Sequence, residues 1–366
     1  MYLNINKEDL LNPLAKVIGV IERRQTLPVL SNVYLLVKNN LLTLIGTDLE
    51  VQISAKIQID CNEEIKTTLP GRKLLDICRS LPDESKIKLN FQEGKVLINS
   101  GKSRFVLRTL PAAEYPLFDE LQYINEFSIN RDVLFKAFTK TLFCMAQQDV
   151  RYYLNGLMLQ ISNGDVQAVA SDGHRLALFQ HQSEENDFSM EQIILPRKGA
   201  QEVLKLLDKV KNDVDVKVAK SHIKLTIDDV QLNAKLIDGR FPDFKNVLPE
   251  ESEHNFNIDK QLFKSALSRV SILSNEKYKG IRLDLSKQLM TINANNPEQD
   301  EADEEVTIDY DGEEMSMGFN SSYLMDALNV IESDLVYVSF TDTNSSCLLE
   351  DPTDKSSRFV IMPMRL

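Results

Sequence analysis

The sequence predicts an α+β fold built from three copies of one module, each with two helices and several antiparallel strands. Three observations predict it. Leu195-Pro196-Arg197-Lys198-Gly199, followed by Val203, Leu204, Leu206, Leu207 and Val210, repeats an earlier stretch, Leu69-Pro70-Gly71-Arg72-Lys73, followed by Leu74, Leu75, Ile77 and Cys78. The two prolines lie 126 positions apart, and a fainter copy, Phe319-Asn320-Ser321-Ser322 with Leu324, Met325, Ala327, Leu328 and Ile331, follows 124 positions later. A second series has the same period: Leu3-Asn4-Ile5-Asn6, Phe127-Ser128-Ile129-Asn130 and Phe256-Asn257-Ile258-Asp259, each leading into apolar residues at helical spacing. Alternating runs such as Val33–Val37, Leu41–Ile45, Val51–Ile59, Ile87–Phe91, Val96–Ile98 and Phe105–Leu107 follow the helices.

Each element has a local reason. Pro, Ser, Asn or Asp at the start suits a helix entry, where the first N–H groups lack internal partners. Six helix windows result: 7–24, 71–80, 130–143, 196–211, 259–269 and 321–332. Pro13 fits near the start of the first helix or as a kink. Asn39-Asn40, Glu93-Gly94, Asn163-Gly164 and Asp228-Asp229 read as hairpin turns. Pro111–Pro116 closes the first third and Phe241–Glu253 the second, so domains of 1–121, 122–249 and 250–366 are expected. A repeat of this length is a whole domain rather than one turn of a solenoid.

Composition narrows the class. The 366 residues are 43% apolar, and no apolar run reaches the roughly 20 residues of a membrane span. The N-terminus has no basic and apolar leader pattern. Cys61, Cys78, Cys144 and Cys347 are scattered and read as reduced, mostly buried thiols of a cytoplasmic protein.

The net charge of −13 argues against nucleic acid, but its distribution argues the other way. The six helix windows hold 18 Lys or Arg against 10 Asp or Glu, so the rest of the chain is strongly acidic. A basic inner surface within an acidic outer one would attract a phosphate backbone at one place. Six helices at about 10 Å spacing would enclose a hole of roughly 9 Å, too small for a duplex. Twelve would leave roughly 28 Å, so a ring of two copies is expected, helices inside and sheets outside.

Several words identify a likeness: Gly46-Thr47-Asp48-Leu49-Glu50, Gln148 through Gly156, Asp172-Gly173-His174-Arg175-Leu176-Ala177, Asp238 through Asp243, Ile272 through Lys277, Asn295 through Glu298 and the ending Met362-Pro363-Met364-Arg365-Leu366. Together they resemble the bacterial sliding clamp family, the beta subunit of DNA polymerase III, from end to end. The resemblance implies a DNA clamp fold and a head-to-tail homodimer forming a six-domain ring around duplex DNA. It implies a non-catalytic processivity factor for the polymerase III catalytic subunit. The clamp loader, other polymerases and repair proteins would dock through short peptide motifs.

The resemblance also implies sites. A partner-peptide pocket would comprise Leu154, Ser171, Gly173, His174, Arg175, Leu176, Pro242, Val247, Asn320, Tyr323, Val360, Ile361, Met362, Pro363 and Met364, with Arg151 and Tyr153 nearby. Leu, Val, Pro and Met residues make an adaptable apolar surface for a peptide. A dimer contact would have Phe105, Leu107, Ile272 and Leu273 at its centre, with Lys73, Lys95, Lys102 and Arg104 facing Glu298, Asp300, Glu301 and Glu304. Arg24, Gln148 and Lys198 would contact DNA. Gln147 and Asn344 depart from the family's pattern.

Other chemistry is poorly supported. Gly101-Lys102-Ser103 ends like a phosphate-binding loop, but the required first glycine is Val96. Ser171, Asp172 and His174 are triad residue types, yet neighbours in one turn cannot readily form a relay. His181, His222 and His254 lack metal-ligand spacing, and no cofactor is expected. A hydrolase at the Asp172–Arg175 turn and an acidic peptide-binding scaffold that does not encircle DNA remain as alternatives.

Overall fold

The computed structural model describes residues 1–22, 27–162, 164–182, 189–249 and 254–365. The first third runs β1 (Tyr2–Asn6), α1 (Lys7–Val17), β2 (Asn32–Lys38), β3 (Leu41–Thr47), β4 (Val51–Gln58), β5 (Ile65–Pro70), α2 (Gly71–Ser80), β6 (Lys86–Gln92), β7 (Lys95–Ser100) and β8 (Ser103–Arg108). The middle third runs β9 (Asn125–Ile129), α3 (Arg131–Thr141), β10 (Gly156–Ser162), β11 (Asp165–Ser171), β12 (Arg175–Gln182), β13 (Met190–Pro196), α4 (Arg197–Leu207), β14 (Val214–Val218), β15 (His222–Ile227) and β16 (Val230–Lys235). The last third runs β17 (His254–Asp259), α5 (Lys260–Val270), β18 (Gly280–Ser286), β19 (Leu289–Asn295), β20 (Glu301–Thr307), β21 (Met315–Asn320), α6 (Ser321–Val330), β22 (Leu335–Phe340), β23 (Cys347–Glu350) and β24 (Ser357–Ile361). The three thirds therefore repeat one order of strands and helices, as the spacing predicts.

By contacts, the chain forms two compact units that share the middle third. The first is Met1–Phe135 with Lys198–Leu236, the second Lys136–Arg197 with Ile237–Leu366. The first holds a four-stranded sheet, β1-β6-β7-β8, and an eight-stranded one, β5-β2-β3-β4-β16-β15-β14-β9. The second holds an eight-stranded sheet, β13-β10-β11-β12-β24-β23-β22-β17, and a four-stranded one, β20-β19-β18-β21. Each eight-stranded sheet is thus a seam between two thirds: β4 pairs with β16, and β12 with β24, both antiparallel. The strands β8 and β20 end their sheets as edges.

Helix boundaries follow local chemistry. Leu10, Leu14 and Val17 are fully buried on one face of α1, the stripe expected of an amphipathic helix. The sequence pattern predicts a helix as far as residue 24, but the α-helix stops at Val17 and a short 3-10 turn ends at Val20. Pro13 lies in mid-helix, so the Asp9 carbonyl loses its usual donor, and the buried stripe keeps the helix continuous. Asp259 and Asn320 cap α5 and α6, accepting from the Leu262 and Ser322 N–H groups at 2.7 and 2.9 Å. Asn6 does not cap α1; its amide donates to Asp9 instead. Asn39 and Asn40 both take positive φ, 54° and 58°, as a two-residue hairpin turn requires. Asn163 lies outside the described residues, but Gly164 beside it has φ 79°.

A cation at the start of one helix repeatedly binds carbonyls at the end of its neighbour. Lys7 donates to the Leu81 carbonyl at 2.7 Å, Arg131 to Leu207, and Lys260 to Ile331 and Glu332. In the other direction Arg72 donates to Ile21, and Arg197 to Met145. The last carbonyls of a helix have no internal donors and carry its negative end, so these bonds are structural. Part of the basic excess of the helices is therefore helix capping, while Lys16, Lys73, Arg79, Lys209 and Lys211 stay exposed.

Candidate docking pocket and interface surfaces

The second unit assembles most of the expected pocket. Leu176 on β12 and Val360 on β24 are direct cross-strand partners, with Arg175 opposite Ile361. Leu154, Leu176, Leu348, Val360 and Phe241 form one apolar cluster, against which Tyr153, Phe244, Val247 and Leu248 pack half-buried. Pro242 follows the buried Phe241 in the segment that returns along this cluster. The C-terminal residues close it: the Met362 N–H donates to the His174 carbonyl at 2.9 Å, and the Met364 N–H to Gly318 at 2.7 Å. Met362, Pro363 and Met364 are partly exposed, whereas Ile361 is buried on the opposite face of β24.

One wall is polar and tightly bonded. Asp172 Oδ1 accepts the His174 and Arg175 N–H groups at 3.0 and 3.1 Å, which folds the turn. Gly173 has φ 85°, the left-handed conformation that favours glycine, and the Arg151 guanidinium packs against its open side. Arg175 is clamped by Asp172 Oδ2 at 3.0 Å, Asp326 Oδ2 at 2.7 Å and the Phe143 carbonyl at 3.0 Å, and lies 4.3 Å from the Tyr323 ring centroid. His174 stacks on the same tyrosine, centroids 6.5 Å apart. Arg151 is held by Asp149 at 2.9 Å, and that hydrogen bond, with the Arg151 N–H, draws the Asp149 carboxyl down to about 2. Asn320 caps α6 at the same helix that carries Tyr323.

This wall is not a catalytic relay. The Ser171 hydroxyl donates to the Arg175 carbonyl at 2.7 Å and accepts the Gly173 N–H at 3.1 Å, so it serves the turn and not His174. Buried Cys144 lies near Arg175, but burial drives its thiol well upward, away from nucleophile chemistry. Sequence reasoning missed Asp326 and Phe143, which fix Arg175; only the Asp172-to-Arg175 spacing hinted at a local ion pair.

The first unit contains the same seam with different chemistry. Thr47, Asp48 and Val51 repeat the turn bond by bond: Thr47 Oγ1 donates to the Val51 carbonyl, and Asp48 Oδ1 accepts the Glu50 and Val51 N–H groups. The Lys235 N–H donates to the Glu50 carbonyl at 2.8 Å, matching Met362 on His174. The registers then equate Gln52 with Leu176, Ser54 with Leu178, Thr68 with Ile194, Asn233 with Val360, and Lys224 with Leu348. Five apolar positions of the second seam are polar in the first. The floor of the second seam is therefore apolar throughout, and that of the first is largely polar.

The residues expected at the other surfaces differ in exposure and in the partners they have within the chain. On β8, Arg104 is exposed, Phe105 is partly buried, and Lys95 and Lys102 flank them exposed. Leu107 is only 8% exposed and belongs to its own core; Val106, 47% exposed, is the apolar side chain that β8 presents. Ile272 is 76% exposed and Leu273 partly so. Glu298, Asp300 and Glu301 are exposed, but Glu304 forms an ion pair with Arg269 of its own chain. Lys73 is exposed on α2. Gln148 is exposed at φ 55° beside Val150, which is 93% exposed. Arg24 lies outside the described residues. Lys198 is not a free cation: its ammonium meets Asp48 Oδ2 at 2.5 Å and Glu22 Oε1 at 2.8 Å. Asn344 sits in a turn capped by Asp342.

A triplicated α+β chain with an apolar seam between repeats and open sheet edges has the build of a docking and tethering protein. Family models for the N-terminal, central and C-terminal domains of the DNA polymerase III beta subunit match residues 1–119, 128–243 and 245–365. The beta sliding clamp of Pseudomonas aeruginosa is 46% identical over the whole of both chains. The crystal structure of the P. aeruginosa DNA polymerase III subunit beta superposes with a TM-score of 0.95 at 45% identity, covering all of both chains. A second, from the same organism and bound to griselimycin, gives 0.95 and 45% over the same extent. The chain belongs to the DNA polymerase III beta subunit family, the beta sliding clamps, and is a non-catalytic member of the replication machinery.

Proposed function

We propose that two copies of this chain close into a ring around duplex DNA and tether the DNA polymerase III catalytic subunit to its template. The observation that carries this is the pairing of equivalent strands. The third strand after α1 or α3 (β4, β12) pairs with the third strand after α4 or α6 (β16, β24). The remaining equivalents, β20 and β8, are open edges, and a second copy supplies each with its partner. Their charges are complementary: Lys95, Lys102, Arg104 and Arg108 on or beside β8, and Glu301, Asp303 and Glu305 on β20. Ile272 and Leu273, with Phe105 and Val106, supply the apolar centre.

The three domains of the ring protomer are 1–121, 122–249 and 250–366, and their helices line the hole. Phosphate contacts come from exposed helix cations, from Gln148 and from Arg24, and they carry no base preference. The seam around Leu176 and Val360 receives the short motifs of the polymerase, the clamp loader and repair proteins. Among the described residues no helix is long and apolar enough to cross a membrane, and the ring works in the cytoplasm. No cofactor takes part.

Retention on DNA tests this reading. The protein, loaded by its clamp loader, stays on nicked circular duplex and is lost when the circle is cut to a linear form. Equal loss from both would leave the acidic peptide-binding scaffold as the better account.

A further inference from the structure

We infer that the first unit carries a second docking cleft, at the seam equivalent to the peptide pocket, and that it takes an acidic linear segment with one apolar anchor. This rests on the reading of the Leu176–Val360 seam as a docking pocket. A cavity of about 270 Å³ lies at the first seam, lined by Leu49, Pro116, Leu117, Phe118, His222 and Lys235 among others. Its walls correspond to those of the pocket. Leu49 stands where Gly173 stands, Lys235 where Met362 stands, and Tyr115-Pro116 matches Phe241-Pro242, with Tyr115 and Phe241 equally buried. The backbone frame of the pocket is therefore repeated.

Three features point to the occupant. Leu49 has φ 81°, a left-handed conformation that disfavours a branched side chain, and yet it is 36% exposed at the cleft. A strained, exposed leucine is explained by an apolar contact made from outside. The sheet face beside it is cationic, although the chain as a whole is acidic. Lys217 and Lys224 are direct cross-strand partners, an arrangement that costs stability. Glu126 pairs with Lys217 at 2.6 Å and Asp215 lies beside it, so Lys224, Lys235 and Lys56 are the cations left on this face. Lys224 is held below its usual range by burial, then by Lys217 and Lys56, with Glu120 opposing. Lys235 covers the Phe118 ring at 5.8 Å, and His222 meets that ring edge-on. Asp119 is an acidic member of the lining, so the cationic side is that of Lys224 and Lys235. The polar floor, Gln52 and Asn233, excludes a purely apolar motif; Gln52 already accepts the Phe118 N–H at 3.0 Å.

Fluorescence anisotropy with two labelled peptides tests this on the full-length protein. One is rich in aspartate around a single leucine; the other is uncharged and carries a Leu-Phe pair. Lys224→Glu with Lys235→Glu is expected to weaken the acidic peptide at least tenfold and leave the uncharged one unchanged. The milder Lys224→Gln with Lys235→Gln should give an intermediate loss, with the fold checked by its melting temperature. Tyr323→Ala should do the reverse. Acidic-peptide affinity that ignores both lysine pairs, or that is lost with Tyr323→Ala, overturns the second cleft. Preference for a single-stranded oligonucleotide over the acidic peptide would overturn the peptide assignment. Failure of the uncharged peptide to bind at all would count against the first pocket, not the second.

Discussion

Leu176 and Val360 face each other directly across the β12–β24 seam, and both are nearly inaccessible. Gln52 and Asn233 hold the same register across β4 and β16. Exchanging the former pair for the latter, as Leu176→Gln with Val360→Asn, transfers the first unit's chemistry to the second. The exchange puts amide groups beneath the half-buried Tyr153, Phe244 and Val247, and peptide affinity is expected to fall about tenfold or more, with the melting temperature checking the fold. Titration with the Leu-Phe peptide measures it, and an unchanged affinity would place docking elsewhere.

The open edges set a second expectation. Ile272 is so exposed that its truncation leaves the fold of one copy nearly untouched. Ile272→Ala with Leu273→Ala should give monomers in sedimentation velocity with an unchanged melting profile. Val106→Asp should act the same way from the β8 side. An intact dimer in both variants would argue that β8 and β20 do not meet.

Arg175 ties three segments together, bonding Asp172, Asp326 and the Phe143 carbonyl while nearly buried. Arg175→Met leaves two carboxylates facing each other beside buried Cys144. The expected cost is about 1–3 kcal/mol in urea unfolding, since Asp172 loses its partner in a poorly exposed site while the more exposed Asp326 can hydrate. A loss below 1 kcal/mol would mean that solvent replaces the guanidinium freely.

The same residues mark how far the sequence could be read. Helices were legible because Leu10, Leu14 and Val17, or Phe263, Ala266, Leu267 and Val270, recur at helical spacing and bury one face. Strands and their turns were legible from alternation and from pairs such as Asn39-Asn40. The seams were not, because β4–β16 joins residues almost two hundred positions apart and neither strand differs in pattern from any other. The resemblance brought Leu176 and Val360 together, but their apolar identity gains meaning only beside Gln52 and Asn233. The helix charge excess was real, yet Lys7, Arg72 and Arg131 turn out to bind helix ends.

Acid stability follows from Asp351. Burial alone would raise its carboxyl, but bonds from Thr353 and Ser333 outweigh it and hold it well below the usual range. A depressed carboxylate stabilises above its unfolded value near 4 and loses that contribution as pH falls through its folded value. Asp149, down to about 2, acts in the same sense. Asp351→Asn should therefore lose about 1–3 kcal/mol at pH 7, keep most of that difference at pH 4, and converge on the wild type only as pH falls through the depressed folded value. Urea midpoints at pH 7, 3 and 2 measure this; a difference that stays constant down to pH 2 would remove the carboxylate as the cause.

The cations divide into two groups that salt can separate. Lys209 and Lys211 are exposed near the end of α4, whereas Lys198 at its start is held by Asp48 and Glu22. A cation already paired releases few counterions on meeting a phosphate, while an exposed one contributes about one unit to the logarithmic salt slope. Lys209→Gln and Lys211→Gln should each flatten the salt dependence of DNA retention without moving the melting temperature. Lys198→Gln should leave the slope unchanged and lower the melting temperature, because it leaves Asp48 without its counter-ion in a poorly exposed site. If Lys198→Gln instead flattened the slope as much as the exposed lysines did, the ion pair would have to open on DNA. Lys198 would then return to the set of phosphate contacts.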